Sequence, residues 1–175
     1  MKKILRERAK NTRKFISSNE KDISIINNLF RTKEYQNAKN VLLYYPLKYE
    51  INPLECLKDK TKNFYLPRVN GEKLEICPYD GSLLKTGSFG IKEPLTQPID
   101  VSIIDFIITP AVACDLNGFR LGYGKGFYDK LFAEIPENAV KICLVYRDLI
   151  FDSVFPEAHD KKCNIAVCED FVLKF

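Results

Sequence analysis

The sequence predicts an α/β fold, with a largely parallel, Rossmann-like sheet that carries helices on both faces in a single domain. Short apolar runs alternate with stretches of helical spacing along much of the chain, and this alternation is typical of parallel sheets. Several runs are apolar throughout rather than at every second residue, as in strands buried on both faces. The chain has 175 residues, the usual size of one domain, so we expect residues 1–175 to form a single unit.

The N-terminal part is predicted to be helical. Residues 2 to about 15 form a charged helix with few apolar positions. A second helix should follow, because Ser17 and Glu20 have the spacing of a capping box. The apolar face of this second helix recurs at helical spacing and comprises Ile23, Ile26, Leu29 and Phe30.

The middle of the chain is predicted to form strands. The segment NVLLYYPL (40–47) is a continuous apolar run, typical of a buried strand. Asn52 and Pro53 then have the character of an N-cap and first residue of a short helix. NFYLPRV (63–69) and KLEICPYD (73–80) predict two more strands, joined by an Asn-Gly turn signal.

The C-terminal half continues the alternation. Residues 81–95 contain several glycines and predict a loop. The segment DFIITPAVACD (105–115) predicts a single buried strand, and AVKICLVY (139–146) and CNIAVCE (163–169) predict two more. Between the first two of these strands lies a predicted helix with an apolar face. This face comprises Phe127, Leu131, Phe132 and Ile135.

Composition limits the kinds of site that this chain can hold. Six cysteines are present without Cys-x-x-Cys spacing, and His159 is the single histidine, which argues against a Cys/His zinc site. Most cysteines lie in apolar runs, so we expect reduced, structural thiols and a cytoplasmic protein. The start MKKILRERAK lacks the apolar core of a signal peptide. No run approaches the roughly 20 apolar residues of a membrane span, so we expect no membrane partner.

The net charge of +4 is mild, and part of it lies in the N-terminal segment. The cations there are Lys2, Lys3, Arg6, Arg8, Lys10, Arg13 and Lys14. They form either a solvent-facing helix side or, in part, a contact for an anionic ligand, and both interpretations remain open. We expect no nucleic-acid partner, because the charge is modest and no stacking platform with RNA-type motifs is present.

The stretch RLGYGKGFYDK (120–130) is the strongest candidate for a functional site. It opens a predicted helix, where free backbone N–H groups and the helix dipole attract anions. Its glycines let an anion approach the backbone, while Lys125 adds a charge and Arg120 a two-pronged donor. It is neither a Walker A loop nor a dinucleotide fingerprint, for which Phe127 would have to be glycine. The parts are those of a phosphate cradle, and a glycine-rich turn with a solvent-facing lysine is the alternative.

Three side chains of this stretch have two interpretations each. Asp129 is placed either to hold Mg²⁺ near bound phosphates or to favour the helix dipole as an exposed first-turn residue. Tyr123 and Tyr128 are suited to stack on a flat heterocycle or to donate a hydrogen bond. Phe127 fits the core face of the helix, and we expect it to be structural.

Five segments, in this order along nearly the whole chain, resemble the 5-formyltetrahydrofolate cyclo-ligase family. The long signature DFIITPAVACDLNGFRLGYGKGFYDK (105–130) is the most specific of them. The other segments are KKILR (2–6), YYPLKYEIN (44–52), LPRVNGEKLEI with LLKTGSFGIKEP (66–76 and 83–94), and FPEAHDKKCNIAV (155–167).

The resemblance implies an ATP- and Mg²⁺-dependent ligase of folate metabolism. It would convert 5-formyltetrahydrofolate, with or without a polyglutamate tail, to 5,10-methenyltetrahydrofolate and release ADP and phosphate. In the family the formyl oxygen attacks the γ-phosphate, and N10 then displaces phosphate from the resulting imidoyl phosphate. Such chemistry needs positioning and charge neutralisation more than a protein nucleophile. We expect a monomer.

The resemblance also assigns site residues. Lys125 and Arg120 would stabilise charge on the transferred phosphoryl group, and Asp129 and Asp160 would hold Mg²⁺. The implied ATP contacts are Lys2, Arg6, Arg120, Leu121, Gly122, Tyr123, Gly124, Lys125, Gly126, Phe127 and Tyr128. The implied folate contacts are Glu50, Tyr45, Tyr123, Gly124, Lys125, Gly126 and Phe127. Phe89 lies where an aromatic ring could stack on pterin or adenine.

Several positions depart from the pattern or stay open. Asn164 stands where relatives often have aspartate, which would weaken the metal site if that carboxylate is a ligand. The residues that follow Glu50 differ from those usual in the family. Cys114 replaces the usual aromatic residue before Asp115, and we interpret this difference as a packing change. His159 is expected to be a surface residue that orients a loop rather than an acid or base.

A different class of function remains as the alternative. A regulator that binds nucleotide or folate would keep the same scaffold without turnover. The presence of Lys125, Arg120 and Asp129 argues against it, and a turnover measurement separates the two hypotheses.

Overall fold

The computed structural model describes residues 1–81 and 84–175. The predicted loop 81–95 includes Ser82 and Leu83, which lie outside the described residues. Its described part contains a hairpin of two short strands, Leu84–Thr86 and Lys92–Pro94, so the loop prediction was wrong there. The described residues form the helices α1 (Lys2–Ile16), α2 (Asn19–Phe30), α3 (Lys33–Asn37) and α4 (Phe127–Glu134). Short 3-10 helices cover Pro53–Lys58, Ser88–Gly90, Val101–Ile103 and Arg147–Leu149. The strands are β1 (Asn40–Leu42), β2 (Asn63–Asn70), β3 (Lys73–Pro78), β4 (Leu84–Thr86), β5 (Lys92–Pro94), β6 (Phe106–Thr109), β7 (Ala113–Asp115), β8 (Arg120–Leu121), β9 (Val140–Leu144), β10 (Ile150–Phe151), β11 (Ile165–Val167) and β12 (Val172–Lys174).

A seven-stranded sheet with the order β12-β11-β9-β6-β1-β2-β3 is the centre of the fold. Its five inner strands are parallel to one another, and the edge strands β3 and β12 are antiparallel to their neighbours. The predicted α/β fold with a largely parallel sheet is confirmed. Two small sheets accompany it, β10-β7-β8 and the hairpin β4-β5.

The order of the strands places the site. β1 pairs with β2 on one side and with β6 on the other, and β9 and β11 continue outward from β6. The direction of winding therefore reverses between β1 and β6. In open α/β sheets a ligand crevice forms beyond the carboxyl ends of the strands at such a reversal. The segments that follow β1 and β6 meet there.

Two side-chain caps show how well local sequence signals hold. α2 begins after Ser18, whose hydroxyl accepts a hydrogen bond from the Lys21 N–H at 3.2 Å. The prediction that Ser17 caps this helix was therefore wrong by one residue. Asn52 caps the following 3-10 helix by accepting the Leu54 N–H at 3.0 Å, as predicted.

The apolar face of α2 is only partly the predicted one. Ile26 and Leu29 are buried, and so is Ile25. Ile23, by contrast, is 58% exposed, because the helix turns the 25–26–29 stripe toward the sheet and leaves position 23 outside it.

The predicted single strand at 105–115 is two strands in different sheets. β6 ends at Thr109 in the central sheet, and β7 begins at Ala113 in the small one. Pro110 lies between them, and proline cannot donate the N–H that would continue a strand ladder. The chain therefore leaves the central sheet here, and the glycine-rich stretch follows β8 rather than a long central strand.

All six cysteines are free thiols buried in the fold, as the apolar runs predicted. Cys114 has no exposed surface in β7, so its side chain packs inside the protein. Within the described residues, no helix is both long and apolar enough to cross a membrane.

Candidate active site

The glycine-rich loop 122–126 connects β8 to α4. Gly124 has a φ of +97° and Gly126 a φ of +69°, in the left-handed region that favours glycine. Gly126 is the N-cap of α4, and no side chain caps the helix there, so the first N–H groups of the helix stay available to an acceptor. Lys125 lies between these glycines and is exposed. An exposed lysine beside an uncapped helix N-terminus is suited to bind phosphate.

One face of α1 lies against this loop. Arg6 donates from Nε to the Gly122 carbonyl oxygen at 2.7 Å. Its guanidinium also lies 3.5 Å from the position that a Cβ at residue 124 would occupy. One turn earlier, Lys2 forms an ion pair with Asp160. The fold thus brings the two predicted N-terminal ATP contacts to the site: Arg6 to the glycine-rich loop and Lys2 to the carboxylate of Asp160.

The buried Arg120 and the half-buried Asp129 form an ion pair beside the loop. Arg120 Nη2 lies 3.3 Å from Asp129 Oδ1, and the arginine side chain is only 5% exposed. Its Nη1 donates to the Lys161 carbonyl oxygen at 3.1 Å, and the Phe132 ring centroid lies 4.6 Å from the guanidinium carbon. Protein groups therefore engage this guanidinium, which holds Asp129 against the segment that contains Lys161.

The two predicted metal ligands belong to one cluster. Asp129 Oδ1 accepts the backbone N–H of Lys161 at 3.1 Å, and Lys161 directly follows Asp160. Asp160 accepts hydrogen bonds from the Lys2 ammonium and from the Glu157 N–H. Burial raises the pKa of Asp160, but these two donors and nearby positive charges outweigh it, so the pKa lies below its usual value.

This pair of carboxylates fits Mg²⁺ bound together with a nucleotide. Mg²⁺ usually keeps several waters and takes one or two carboxylates plus phosphate oxygens as ligands. The described residues contain no group of three or more acidic, histidine or cysteine side chains that would hold a metal by themselves. The donor set therefore suits an ion that arrives with phosphates rather than a resident structural metal.

A second polar cluster lies in the crevice after β1. Glu50 is 8% exposed and accepts the Leu47 N–H at 2.6 Å. It also accepts the hydroxyl of Tyr123, which in turn accepts a hydrogen bond from Arg13 Nη2 at 2.6 Å. Burial, followed by the charge of Glu50, raises the pKa of Tyr123. The hydroxyl therefore keeps its proton and donates a hydrogen bond to the carboxylate.

The first turn of α4 differs from the prediction. Phe127 is half-buried and does not join the core cluster, so its assignment as a structural core residue was wrong. Tyr128 packs against the core instead, because the helix begins at residue 127 and turns the next position inward. Burial, and then the charge of Glu50, raises the pKa of Tyr128. Leu131 and Phe132 are buried as predicted.

Three further predicted contacts lie in different parts of the fold. Leu121 is fully buried in β8, and its carbonyl oxygen accepts the Val112 N–H at 2.7 Å. Tyr45 is half-buried in the segment that follows β1. Phe89 is 60% exposed with a φ of +60°, and its ring centroid lies 5.7 Å from Lys125 Nζ.

Two positions of the closing segment behave differently. His159 is exposed and lies 3.4 Å from Glu157, so it is the surface residue that we expected. Asn164 accepts the Lys141 N–H on its side-chain oxygen at 2.8 Å. This hydrogen bond lies at the start of β9 and β11, and Asn164 is not among the observed partners of the two aspartates.

Sequence reasoning missed Arg13 as a member of the site. It is 6% exposed, although it was grouped with cations that a helix commonly turns to solvent. The spacing contained a signal, because positions 2, 6, 9 and 13 share one face of a helix. Ala9 on this face is fully buried, and an apolar residue within a charged stripe indicates that the stripe faces inward.

Two open surface depressions lie elsewhere on the protein. One of about 450 Å³ is lined by residues that include Tyr35 and Lys62, and one of about 350 Å³ by residues that include Tyr65 and Tyr79. Neither is lined by the glycine-rich loop or by the two polar clusters. We place the site at the clusters, because buried charges and positive-φ glycines occur there together.

A comparison with known protein families gives a match over nearly the whole chain. The model of the 5-formyltetrahydrofolate cyclo-ligase family matches residues 1–169. The chain belongs to this family. The resemblance of its five segments is thereby confirmed, and the glycine-rich loop lies inside the matched range.

Individual members of the cyclo-ligase family are similar over much of their length. A Haemophilus influenzae 5-formyltetrahydrofolate cyclo-ligase is 30% identical over 66% of this chain and 67% of its own. A probable one from Schizosaccharomyces pombe is 27% identical over 87% of this chain and 85% of its own. The solved structure of Aquifex aeolicus 5,10-methenyltetrahydrofolate synthetase matches with a TM-score of 0.88 and 31% identity, over 99% of this chain and 92% of that one.

Proposed function

We propose that this cyclo-ligase family member closes the ring of 5-formyltetrahydrofolate with MgATP and yields 5,10-methenyltetrahydrofolate, ADP and phosphate. One observation carries the proposal: α1, the glycine-rich loop and the segment around Asp160 meet in one place, with cations and two carboxylates around an uncapped helix N-terminus. The names of the H. influenzae and A. aeolicus relatives give this substrate and this product.

The nucleotide half of the site lies at the loop. Lys125 and the free N–H groups of α4 would bind the transferred phosphoryl group, where preorganised charge stabilises the transition state. Arg6 holds the loop through the Gly122 carbonyl. Lys2 is the second α1 cation, and its ammonium pairs with Asp160, so it lies where nucleotide phosphates and the metal would approach.

The folate half lies in the crevice after β1. The buried carboxylate of Glu50 is suited to accept N–H donors of a pterin-type ring, because buried carboxylates need hydrogen-bond donors. Tyr123 connects this half to the glycine loop, of which it is part. Tyr45 and the exposed ring of Phe89 are the aromatic surfaces that could stack on the ligands.

The reaction needs these groups for binding and charge rather than for covalent work. The formyl oxygen attacks the γ-phosphorus, and the bond to the β–γ bridging oxygen breaks as ADP leaves. N10 then attacks the former formyl carbon and loses its proton, and phosphate departs with the formyl oxygen. Lys125 stabilises the charge on the phosphoryl group in both steps. Closeness of the formyl oxygen to the γ-phosphorus supplies much of the acceleration.

Asp129 and Asp160 would hold Mg²⁺. The bound ion neutralises phosphate charge. Arg120 is buried and paired with Asp129, so we assign it the orientation of that carboxylate rather than direct contact with the phosphoryl group.

The wider expectations are part of the same proposal. We propose that residues 1–175 act as one domain and one protomer, without nucleic acid or membrane as partner. The six buried free thiols support a reducing compartment such as the cytoplasm.

The proposal is tested by mixing the purified protein with 5-formyltetrahydrofolate and MgATP at mildly acidic pH. The near-ultraviolet absorbance of the methenyl product and the release of ADP are followed together, with reactions that lack ATP or contain a chelator as controls. Coupled appearance of both products, dependent on ATP and Mg²⁺, is expected. Binding of either ligand without turnover would overturn the proposal and identify a regulator on this scaffold.

A further inference from the structure

The side chain of Arg13 points from α1 into the protein, toward the end of a central strand. Its Nη1 donates to the carbonyl oxygen of Ala111, just beyond β6, at 3.3 Å. Its Nη2 donates to the Tyr123 hydroxyl at 2.6 Å. Its Nε is buried without a hydrogen-bond partner among the described residues. Burial of a guanidinium costs free energy unless an opposite charge and hydrogen-bond acceptors compensate it. We therefore expect an anionic group close to Arg13.

The compensating charge comes from the crevice. Glu50 is 8% exposed and reaches Arg13 through the hydroxyl of Tyr123. Two cations also face the ring of this tyrosine: the Arg13 guanidinium carbon lies 5.7 Å and Lys10 Nζ 5.5 Å from its centroid. Arg13, Tyr123 and Glu50 thus form one chain of charge-assisted hydrogen bonds in a largely buried setting.

The direction of this chain is fixed by its first member. A tyrosine hydroxyl has a single proton, and a guanidinium can only donate. Because Arg13 occupies the acceptor side of the Tyr123 oxygen, the hydroxyl proton is left to point at Glu50. That bond orients one carboxylate oxygen, while the Leu47 N–H holds the other at 2.6 Å. The carboxylate therefore has a defined plane in the crevice.

We propose that Arg13 is a positioning residue for folate: through Tyr123 it fixes the Glu50 carboxylate in the orientation that accepts the N–H donors of the pterin ring. This inference rests on the proposed function, and it assigns the residue to substrate recognition rather than to the nucleotide half. The inward side of α1 then serves both ligands: Arg6 contacts the glycine-rich loop and Lys2 pairs with Asp160 in the nucleotide half, whereas Arg13 acts in the folate half.

A purely structural role makes a different prediction. If Arg13 only anchors α1 to the segment after β6 through Ala111, its loss would loosen α1 as a whole. Arg6 belongs to the same helix, so ATP and folate affinities would then fall together. A positioning role predicts that folate affinity falls alone.

The test is calorimetric titration of Arg13→Gln, without turnover, with 5-formyltetrahydrofolate and with ATP in separate experiments. We expect the folate dissociation constant to rise about tenfold or more, with ATP affinity unchanged. Arg8→Gln is the matched control, because Arg8 is exposed on the same helix and the charge change is identical; it should leave both affinities unchanged. Tyr123→Phe should weaken folate binding, and combining it with Arg13→Gln should add little.

The outcomes separate the inference from the function. Wild-type folate affinity in Arg13→Gln, or an equal fall in ATP affinity, overturns the positioning role while wild-type turnover still stands. Absence of folate binding and turnover in the wild-type protein refutes the proposed function instead. If Arg13→Gln does not melt cooperatively, Tyr123→Phe decides, because it removes the hydroxyl that joins Arg13 to Glu50. Unchanged folate affinity in that variant overturns the inference.

Discussion

The carboxylate of Asp129 accepts a hydrogen bond from the backbone N–H of Lys161 at 3.1 Å. This contact joins the first turn of α4 to a segment 32 residues later in the chain and places Asp129 beside the neighbour of Asp160. The buried guanidinium of Arg120 closes the arrangement from the other side. The two carboxylates assigned to Mg²⁺ are therefore held together by the protein itself.

Asp129→Asn should raise the Mg²⁺ concentration needed for half-maximal turnover, by about tenfold or more, because an amide is a weaker ligand for a hard cation than a carboxylate. Turnover measured over a range of Mg²⁺ concentrations at saturating ATP checks this. The fold should survive, since the amide oxygen can still accept the Lys161 N–H.

Two controls sharpen that experiment. Asp152→Asn makes the same chemical change at an exposed position and should leave the Mg²⁺ curve in place. Asn164→Asp restores the residue that relatives often carry, yet Asn164 bonds to Lys141 rather than to the aspartates, so this curve should not move either. An unchanged curve for Asp129→Asn would remove Asp129 from the metal site.

Lys125→Ala should lower kcat by about a hundredfold to a thousandfold, because it removes a preorganised charge from the transferred phosphoryl group. The melting temperature should stay near that of the wild type, since Lys125 is exposed. Lys130→Ala is the matched control: it removes an exposed lysine in α4, the helix that follows the loop, and the partner of this lysine is Glu72. Near-normal kcat in Lys125→Ala, or an equal loss in Lys130→Ala, would refute the role of Lys125.

The ion pair between Lys2 and Asp160 should make stability depend on pH. The pKa of Asp160 is lower in the folded protein than usual, because the Lys2 and Glu157 hydrogen bonds outweigh the effect of burial. The stabilisation is therefore fully present above the unfolded pKa of about 4 and is lost as pH falls through the lower, folded pKa. Lys2→Met should cost roughly 1 kcal/mol or less at neutral pH and progressively less in acid.

Urea unfolding of Lys2→Met at several pH values checks this expectation. Lys3→Met is the reference, because it removes a charge from the same end of α1 at an exposed position. The difference in unfolding free energy between the two variants should shrink in acid. A difference that does not change with pH would show that the ion pair does not stabilise the fold.

The six thiols should be inert in the folded protein. The Cys143 thiol donates a hydrogen bond to Cys114, and this bond, together with burial, raises the pKa of Cys143. Burial raises the pKa of Cys56 to about 12. Cys143 and Cys56 are therefore thiols rather than thiolates at neutral pH, and thiols react slowly with disulfide reagents. All six side chains are also buried, which keeps reagents away from them. Colorimetric titration should detect all six thiols in denaturant. In buffer almost no thiol should react rapidly, and the rate of reaction should rise as urea unfolds the protein. Rapid native labelling of several thiols would contradict the buried arrangement.

The predicted strands and turns were largely correct, because their signals are local. The β2–β3 hairpin turns at the Asn70-Gly71 pair. Asn52 caps its helix by accepting the N–H of Leu54, only two positions away. The errors have local causes as well. Pro110 ended β6 earlier than its apolar neighbours suggested, and Ser18 rather than Ser17 capped α2, since adjacent serines give the same signal.

The alternation of strands and helices, the glycines that the 124 and 126 conformations require, and the segments typical of the family can all be read from the amino-acid sequence. The partner of each charged side chain, by contrast, depends on the tertiary structure. Arg6 meets Gly122 across 116 positions, Arg13 meets Tyr123 across 110, and Lys2 meets Asp160 across 158. A helix pattern shows which cations share a face, but whether that face meets water or a carboxylate depends on packing between distant segments. The roles that we propose for Arg13 and Arg120 rest on that packing.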